Sequence, residues 1–274
     1  GHTYVQEYER GIPKYKVKKE GACKGTGTTI TFDPDPQIFQ KIEFDRKEIL
    51  DHLRQQAYLT KGVRIEIFDE RSEEIFSYGF YFEGGLQSFI TYVVQGEEPL
   101  QENPFYVQKQ EGKIEVEATF LYAANDESRE LSFANNIYTP DGGMHLTGLR
   151  SALTRTLNDF ARKEGYIKES EENLTGDDVR AGLNAIIAVK ITNSELQFEG
   201  QTKARLGNPE ARTAVEAVVS EALKEFLERY GTDARKIIEK NLLAAKARLA
   251  AKAAKDTVLR KGALEGLTLP GKLA

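Results

Sequence analysis

A glutamine and a lysine two residues apart, in Gly200-Gln201-Thr202-Lys203, are the first residues in this 274-residue chain whose types and spacing suggest chemistry. They lie between a strand-like run and the helix start Asn208-Pro209-Glu210, where the sequence predicts an exposed loop. A lysine there carries a compact, mobile ammonium on a four-carbon stem, suited to a phosphate that arrives and leaves. Taken alone, the motif reads as an ordinary surface lysine. His145, in Asp141-Gly142-Gly143-Met144-His145, is the second candidate. An imidazole can act as a general base, but local spacing brings it no Ser, Cys or carboxylate partner. The expected role is therefore structural, a ring hydrogen-bonded where a helix begins. Gly25-Thr26-Gly27 lacks the third glycine of a dinucleotide fingerprint and the lysine of a P-loop, which leaves a turn.

The strongest physical signal is electrostatic. Residues 235–261 hold nine basic side chains and two acidic ones, a balance of +7; with the whole chain at −5, the remainder carries −12. Such segregation attracts a polyanion to one segment while the rest of the surface repels it, although a solvated helix face has the same composition.

The elements that must hold these residues read as α+β. Thr28, Ile30 and Phe32 alternate as a half-buried strand would, as do Val63, Ile65 and Ile67, then Ile114, Val116, Ala118 and Phe120, with Leu131 and Phe133 continuing. Asp45 to Glu48 has the spacing of a capping box, and Leu86, Phe89, Ile90 and Val93 recur at helical spacing after Gly84-Gly85. Residues 96–104 show no periodicity and predict a linker. Helices are expected over 147–163, from Thr175-Gly176-Asp177-Asp178, from Pro209 to Gly231, and then from a Thr232 cap to Gly262, with a buried strand over 185–191. The last helix would span about 45 Å at about 1.5 Å per residue.

Composition bounds the rest. At about 100–200 residues per domain the length suggests two domains. Lys and Arg number 38 against 43 Asp and Glu, and a pI near 5.5 excludes a uniformly basic nucleic-acid coat. Hydrophobic residues at 40% exclude disorder. One cysteine, Cys23, and three scattered histidines, His2, His52 and His145, offer no zinc cluster, so any metal chemistry would use oxygen ligands. No apolar run approaches the roughly 18 residues of a membrane helix, and a cytoplasmic protein is expected. The only methionine is Met144, so the chain reads as a fragment.

Together the motifs resemble the B subunits of DNA gyrase and the ATPase subunits of topoisomerase IV, the ATP-binding side of type IIA topoisomerases. The resemblance rests on Thr26-Gly27-Thr28; Phe133-Ala134-Asn135-Asn136-Ile137; Asp141-Gly142-Gly143 with His145, Gly148, Leu149 and Arg150; Leu153-Thr154-Arg155; Thr175-Gly176-Asp177-Asp178 with Arg180, Gly182 and Leu183; Gln201-Thr202-Lys203; Arg260-Lys261-Gly262-Ala263-Leu264; and Leu269-Pro270-Gly271-Lys272-Leu273-Ala274. These occur in the family's order over essentially the whole chain. The resemblance implies that residues 1–98 are the C-terminal part of a GHKL-type ATPase sandwich. It makes residues 99–274 a ribosomal-protein-like βαβ transducer domain ending in a long basic helix.

By the same resemblance Gln201 and Lys203 match the loop that reaches the γ-phosphate of ATP, with Lys203 the catalytic residue of this stretch, and Thr28 matches a threonine lining the adenine pocket. Lys246, Arg248, Lys252 and Lys255 become the expected DNA contacts. The family's catalytic glutamate, Mg-binding asparagine, adenine-binding aspartate and glycine-rich lid would precede Gly1, and its TOPRIM domain would follow Ala274. The resemblance thus implies ATP and Mg2+ as cofactors of the full-length parent, with none expected for the isolated chain. Its implied partners are DNA, an A-type cleavage subunit and a second copy of the ATPase subunit, without a membrane. A stand-alone DNA-binding or architectural module using the basic helix is the alternative.

Overall fold

Short strands characterise the N-terminal unit, Gly1–Asp51. There β1 (His2–Val5) pairs antiparallel with β4 (Lys18–Ala22), and β2 (Tyr8–Glu9) with β3 (Ile12–Pro13). The computed structural model describes residues 1–192 and 196–265. The strand expected through Thr28, Ile30 and Phe32 is not formed: residues 23–45 hold neither helix nor strand, and Ile30 and Phe32 are 81% and 69% exposed. Alternation makes a strand only where a neighbour accepts its backbone hydrogen bonds and a core covers one face. Asp45 does cap α1 (Arg46–Leu59), its Oδ1 accepting from the backbone N–H groups of Lys47 at 2.8 Å and Glu48 at 3.1 Å.

The second unit, His52–Ala274, is built on one sheet with helices on both faces. After α1 come the hairpin β5 (Ile65–Asp69) and β6 (Phe76–Phe80), then α2 (Leu86–Val93). The sheet comprises β7 (Phe105–Glu111), β8 (Ile114–Tyr122), β9 (Arg129–Ala134), β10 (Ile137–Tyr138) and, after α3 (Met144–Lys163) and α4 (Gly176–Arg180), β11 (Leu183–Ile191). Its order is β10-β9-β11-β8-β7, with only the β9–β11 pair parallel. The crossover through α3 and α4 makes this a βαβ unit. Hairpin β12 (Phe198–Glu199) and β13 (Arg205–Leu206) follows, then α5 (Pro209–Arg229) and α6 (Gly231–Glu265).

Period-two alternation assigns the faces. Val116, Ala118 and Phe120 of β8 and Leu183, Ala185 and Ile187 of β11 join Leu149, Leu153, Val215 and Leu223 from α3 and α5. Leu121, Phe133, Ile186 and Ala188 face the other way, onto Tyr58, Leu86, Phe89 and Ile90 of α1 and α2. Gly148 lets α3 approach α5: a Cβ there would lie 2.7 Å from the Arg212 carbonyl oxygen. Across the second face the buried Glu117 carboxylate accepts from Lys61 Nζ at 2.8 Å and Tyr106 OH at 2.9 Å.

Two expectations change here. Residues 96–104 are bonded into the unit rather than slack: Leu100 N–H donates to the Tyr122 carbonyl at 2.8 Å, and the N–H groups of Glu102 and Asn103 donate to Asp233. And α6 starts at Gly231, so Thr232 is inside its first turn while Asp233 serves that segment. Among the described residues no helix is long and apolar enough to cross a membrane, and no group of three or more His, Cys, Asp or Glu is arranged to hold a metal. The motif over 269–274 lies outside the described residues, as do the side chains of Arg260 and Lys261.

Candidate functional site

Gln201 and Lys203 share the tip of the β12–β13 hairpin, both exposed. Lys203 has φ +55°, a left-handed backbone uncommon for a side chain other than Gly, Asn or Asp. Its N–H donates to the Gly200 carbonyl at 3.4 Å, and its ammonium lies 5.9 Å from the centre of the Phe198 ring, at the outer limit of a cation–π contact.

The base of this hairpin is joined to the turn before α3. Asp141 N–H donates to the Ala204 carbonyl at 3.0 Å, and Leu206 N–H donates to the Gly142 carbonyl at 3.1 Å. Gly143 bridges Leu206, which is fully buried. Gly143 has φ +133°, and a Cβ there would fall 2.3 Å from the Leu206 carbonyl oxygen, so the two backbones touch only because this residue is glycine. On the far side, the Asn208 side chain does not cap α5 as its place before Pro209 predicts; its Oδ1 instead accepts from the Gln197 N–H at 2.8 Å, closing the hairpin from below. The Asp-Gly-Gly and Gln-Thr-Lys motifs, more than fifty residues apart, thus form one backbone assembly.

His145 sits beneath that assembly, fully buried, with Nε2 3.2 Å from Thr139 Oγ1, in the structural role its place in the sequence predicts. Thr139 in turn donates to the Ser132 carbonyl at 2.9 Å. Nδ1 has no hydrogen-bond partner among the described residues, and burial lowers the ring's pKa to about 4. The turn Asn135-Asn136, left-handed at both residues, clamps the end of β11: Asn135 Oδ1 accepts from Ile191 N–H at 2.8 Å. That bond fixes where the chain leaves the sheet for the hairpin.

The basic helix is held differently. Asp233, Ala234, Ile237, Ile238, Lys240 and Asn241 are buried, whereas residues 249–259 are all exposed. Lys240 donates to the Ala124 carbonyl at 2.8 Å and to Asp126 at 2.6 Å, so its charge is already engaged. Arg248 forks onto Asp178, Nε to Oδ1 at 2.9 Å and a terminal nitrogen to Oδ2 at 3.0 Å. Lys246, Lys252 and Lys255 are exposed. Thr28 is exposed in the N-terminal unit, so the structure brings Gln201 and Lys203 together, groups the four basic residues on α6, and leaves Thr28 in a unit of its own.

Two features carry little signal in the sequence. Asp178 reads there only as an acid in a helix's first turn; it is also the reciprocal half of a capping box with Thr175 and the partner of Arg248, seventy residues on. And Arg150, Arg155, Arg180 and Arg212 converge on a groove of about 600 Å³ along α3, α4 and α5, with Asp159 and Glu216 as its acids. Only Leu153-Thr154-Arg155, one helical turn beyond Arg150, hints at this.

Comparison with known proteins accounts for these motifs. A family model of DNA gyrase B matches residues 85–257, well over half of the chain. The chain belongs to the DNA gyrase B family. It is 44% identical to the DNA gyrase B protein of Clostridium acetobutylicum over its full length, spanning 42% of that relative, and 44% identical to the gyrase B protein of Bacillus cereus, spanning 67%. Among solved structures, the 43K ATPase domain of Thermus thermophilus gyrase B, in complex with an aminocoumarin, superposes with a TM-score of 0.76 at 39% identity, covering 93% of this chain and 68% of that one. The topoisomerase IV ATP-binding domain of Francisella tularensis gives 0.75 at 28% identity, covering 91% and 67%. The α+β fold is therefore that of gyrase B ATPase regions.

Proposed function

We propose that this chain is the coupling part of a gyrase B protein, acting in an ATP-dependent type II topoisomerase that ties ATP binding and hydrolysis to DNA strand passage. In this reading residues 1–98 complete the GHKL ATPase domain and residues 99–274 are the transducer. The observation that carries it is the hairpin whose base is bonded to the Gly142-Gly143 turn, holding Lys203 outward. An ammonium and an amide suit a terminal phosphate: charge-assisted hydrogen bonds to it are worth about 1.5–3 kcal/mol and vanish when that phosphate leaves. ATP and Mg2+ would be the cofactors of the full-length protein. Within this chain Gln201 and Lys203 would meet the γ-phosphate and Thr28 the adenine end.

The partners are DNA, an A-type cleavage subunit and a second copy of the gyrase B protein. DNA would meet the basic end of α6 through Lys246, Lys252 and Lys255. In a full-length gyrase B protein carrying this segment, Lys203→Ala should lower ATP turnover by about 10²–10³-fold, the usual loss when one preorganised electrostatic group is removed. Undiminished turnover would return Lys203 to an ordinary surface lysine.

A further inference from the structure

Along α6 the polar anchors recur at intervals of seven: Asp233 to Lys240, and Asn241 to Arg248. Residues so spaced share one face of a helix, about two turns apart. Asp233 holds residues 102 and 103, Lys240 holds the β8–β9 connection, Asn241 Nδ2 donates to the Asp178 carbonyl at 3.3 Å, and Arg248 forks onto the Asp178 carboxylate. Every side chain described beyond Arg248 on this helix is exposed. The Arg248–Asp178 pair is thus where α6 leaves the body.

Its chemistry suits an anchor. Asp178 is 2% exposed and fixed from two sides, accepting from Thr175 N–H at 2.8 Å while its own N–H donates to Thr175 Oγ1. A rigid carboxylate facing a planar guanidinium fork sets direction as well as distance. The surroundings of Arg248 are acidic: Glu172 and Asp177 act on it besides Asp178. The Arg248 fork is already engaged by Asp178, whereas the ammonium groups of Lys252 and Lys255 are exposed. Asp178 also lies just ahead of β11 in the chain.

We infer that Arg248 and Asp178 are positioning residues that fix the direction of the projecting end of α6, and that Arg248 does not contact DNA. From Arg248 to Glu265 the helix extends about 25 Å, so a tilt of about 10° at the anchor moves its tip about 4 Å. The consequence for the enzyme rests on the function proposed above: a released helix would let ATP turn over without driving strand passage.

The orientation is tested on the 274-residue chain with Cys23 replaced by Ser and spin labels at Lys113→Cys and Ala254→Cys, by double electron–electron resonance. Arg248→Gln should at least double the width of the distance distribution, and Arg248→Lys should fall between, because an ammonium cannot reproduce the fork. Asp178→Asn should match Arg248→Gln; because Asp178 also caps α4, Arg248→Gln, on a largely solvated helix, decides if that variant misfolds. An unchanged width in Arg248→Gln overturns the anchor. So does a fall in the salt slope of duplex binding by about one on Arg248→Gln with the distances unchanged, the signature of a phosphate contact. In the full-length protein with its cleavage partner, Arg248→Gln should keep ATP turnover within about twofold and lose about tenfold in supercoils introduced per ATP. A broadened distribution with unaltered supercoiling per ATP would overturn the coupling role, whereas failure of the Lys203→Ala test would strike the proposed function itself.

Discussion

The hairpin tip at residues 200–204 and the outer part of α6 are both exposed and both carry lysines, yet the body holds them in opposite ways. The hairpin is short and secured on each flank, by Gly142 and Gly143 on one side and Asn208 on the other. The helix is secured along its first half, and its side chains over 249–259 are exposed. Under the proposed function, the difference matches the tolerance of two kinds of phosphate recognition. A contact with one terminal phosphate works only from a fixed position, since misplacement by about 1 Å can cost about 10²-fold. A polyanion presents charge all along its length, so a solvated helix needs reach rather than a fixed register.

Gly143→Ala is the most damaging way to break this comparison. The added methyl would collide with the Leu206 backbone at a φ that alanine avoids, and neither neighbour is a flexible side chain. We expect a loss of at least about 3 kcal/mol in urea unfolding, with faster proteolysis at residues 200–204 and none gained on α6. Unaltered stability would mean the hairpin is not secured there.

The buried histidine under the same turn gives the next effect. Its folded pKa, about 4, lies below the ordinary value of 6.5, so the unfolded state binds more protons between the two. Stability should therefore fall as pH drops from about 6.5 and level off below about 4, by a total of about 3 kcal/mol from this group. Denaturant melts across that range should lose this contribution in His145→Gln; a slope identical to wild type would show that His145 is already protonated when folded.

Smaller again is the effect on the helix. If Lys246, Lys252 and Lys255 each neutralise one phosphate, the logarithm of duplex affinity should fall against the logarithm of salt with a slope near −0.9 per contact, about −2.7 in all. Each Lys→Ala should lessen it by about one. Fluorescence anisotropy across a salt series measures this, and a slope unmoved by the triple substitution would leave the helix as a strut.

Much of the fold is legible in the sequence because it is local. The period-two run of β8, the helix over 147–163, the Pro209 start and the Thr175 cap each depend on neighbours within a few residues, and each is present. What escapes depends on distant partners. Ile30 and Phe32 alternate correctly and still form no strand, because alternation carries no information about who pairs with it. Residues 96–104 look like a linker until Tyr122 and Asp233 supply their bonds. Arg248 looks like its neighbours Lys246 and Lys252 until Asp178 is folded against it. Gln201 and Lys203 are legible as a motif, but the reason they stand where they do is the Gly143–Leu206 contact, which no spacing announces.

A Lys203 that senses the terminal phosphate, and nothing else of the nucleotide, is tested most directly by calorimetric titration. The full-length gyrase B protein and its Lys203→Ala variant would each be titrated with a non-hydrolysable ATP analogue and with ADP. The variant should lose about tenfold or more in affinity for the analogue, in line with one charge-assisted hydrogen bond, and keep its affinity for ADP. Equal losses for both nucleotides, or none for either, would contradict that role.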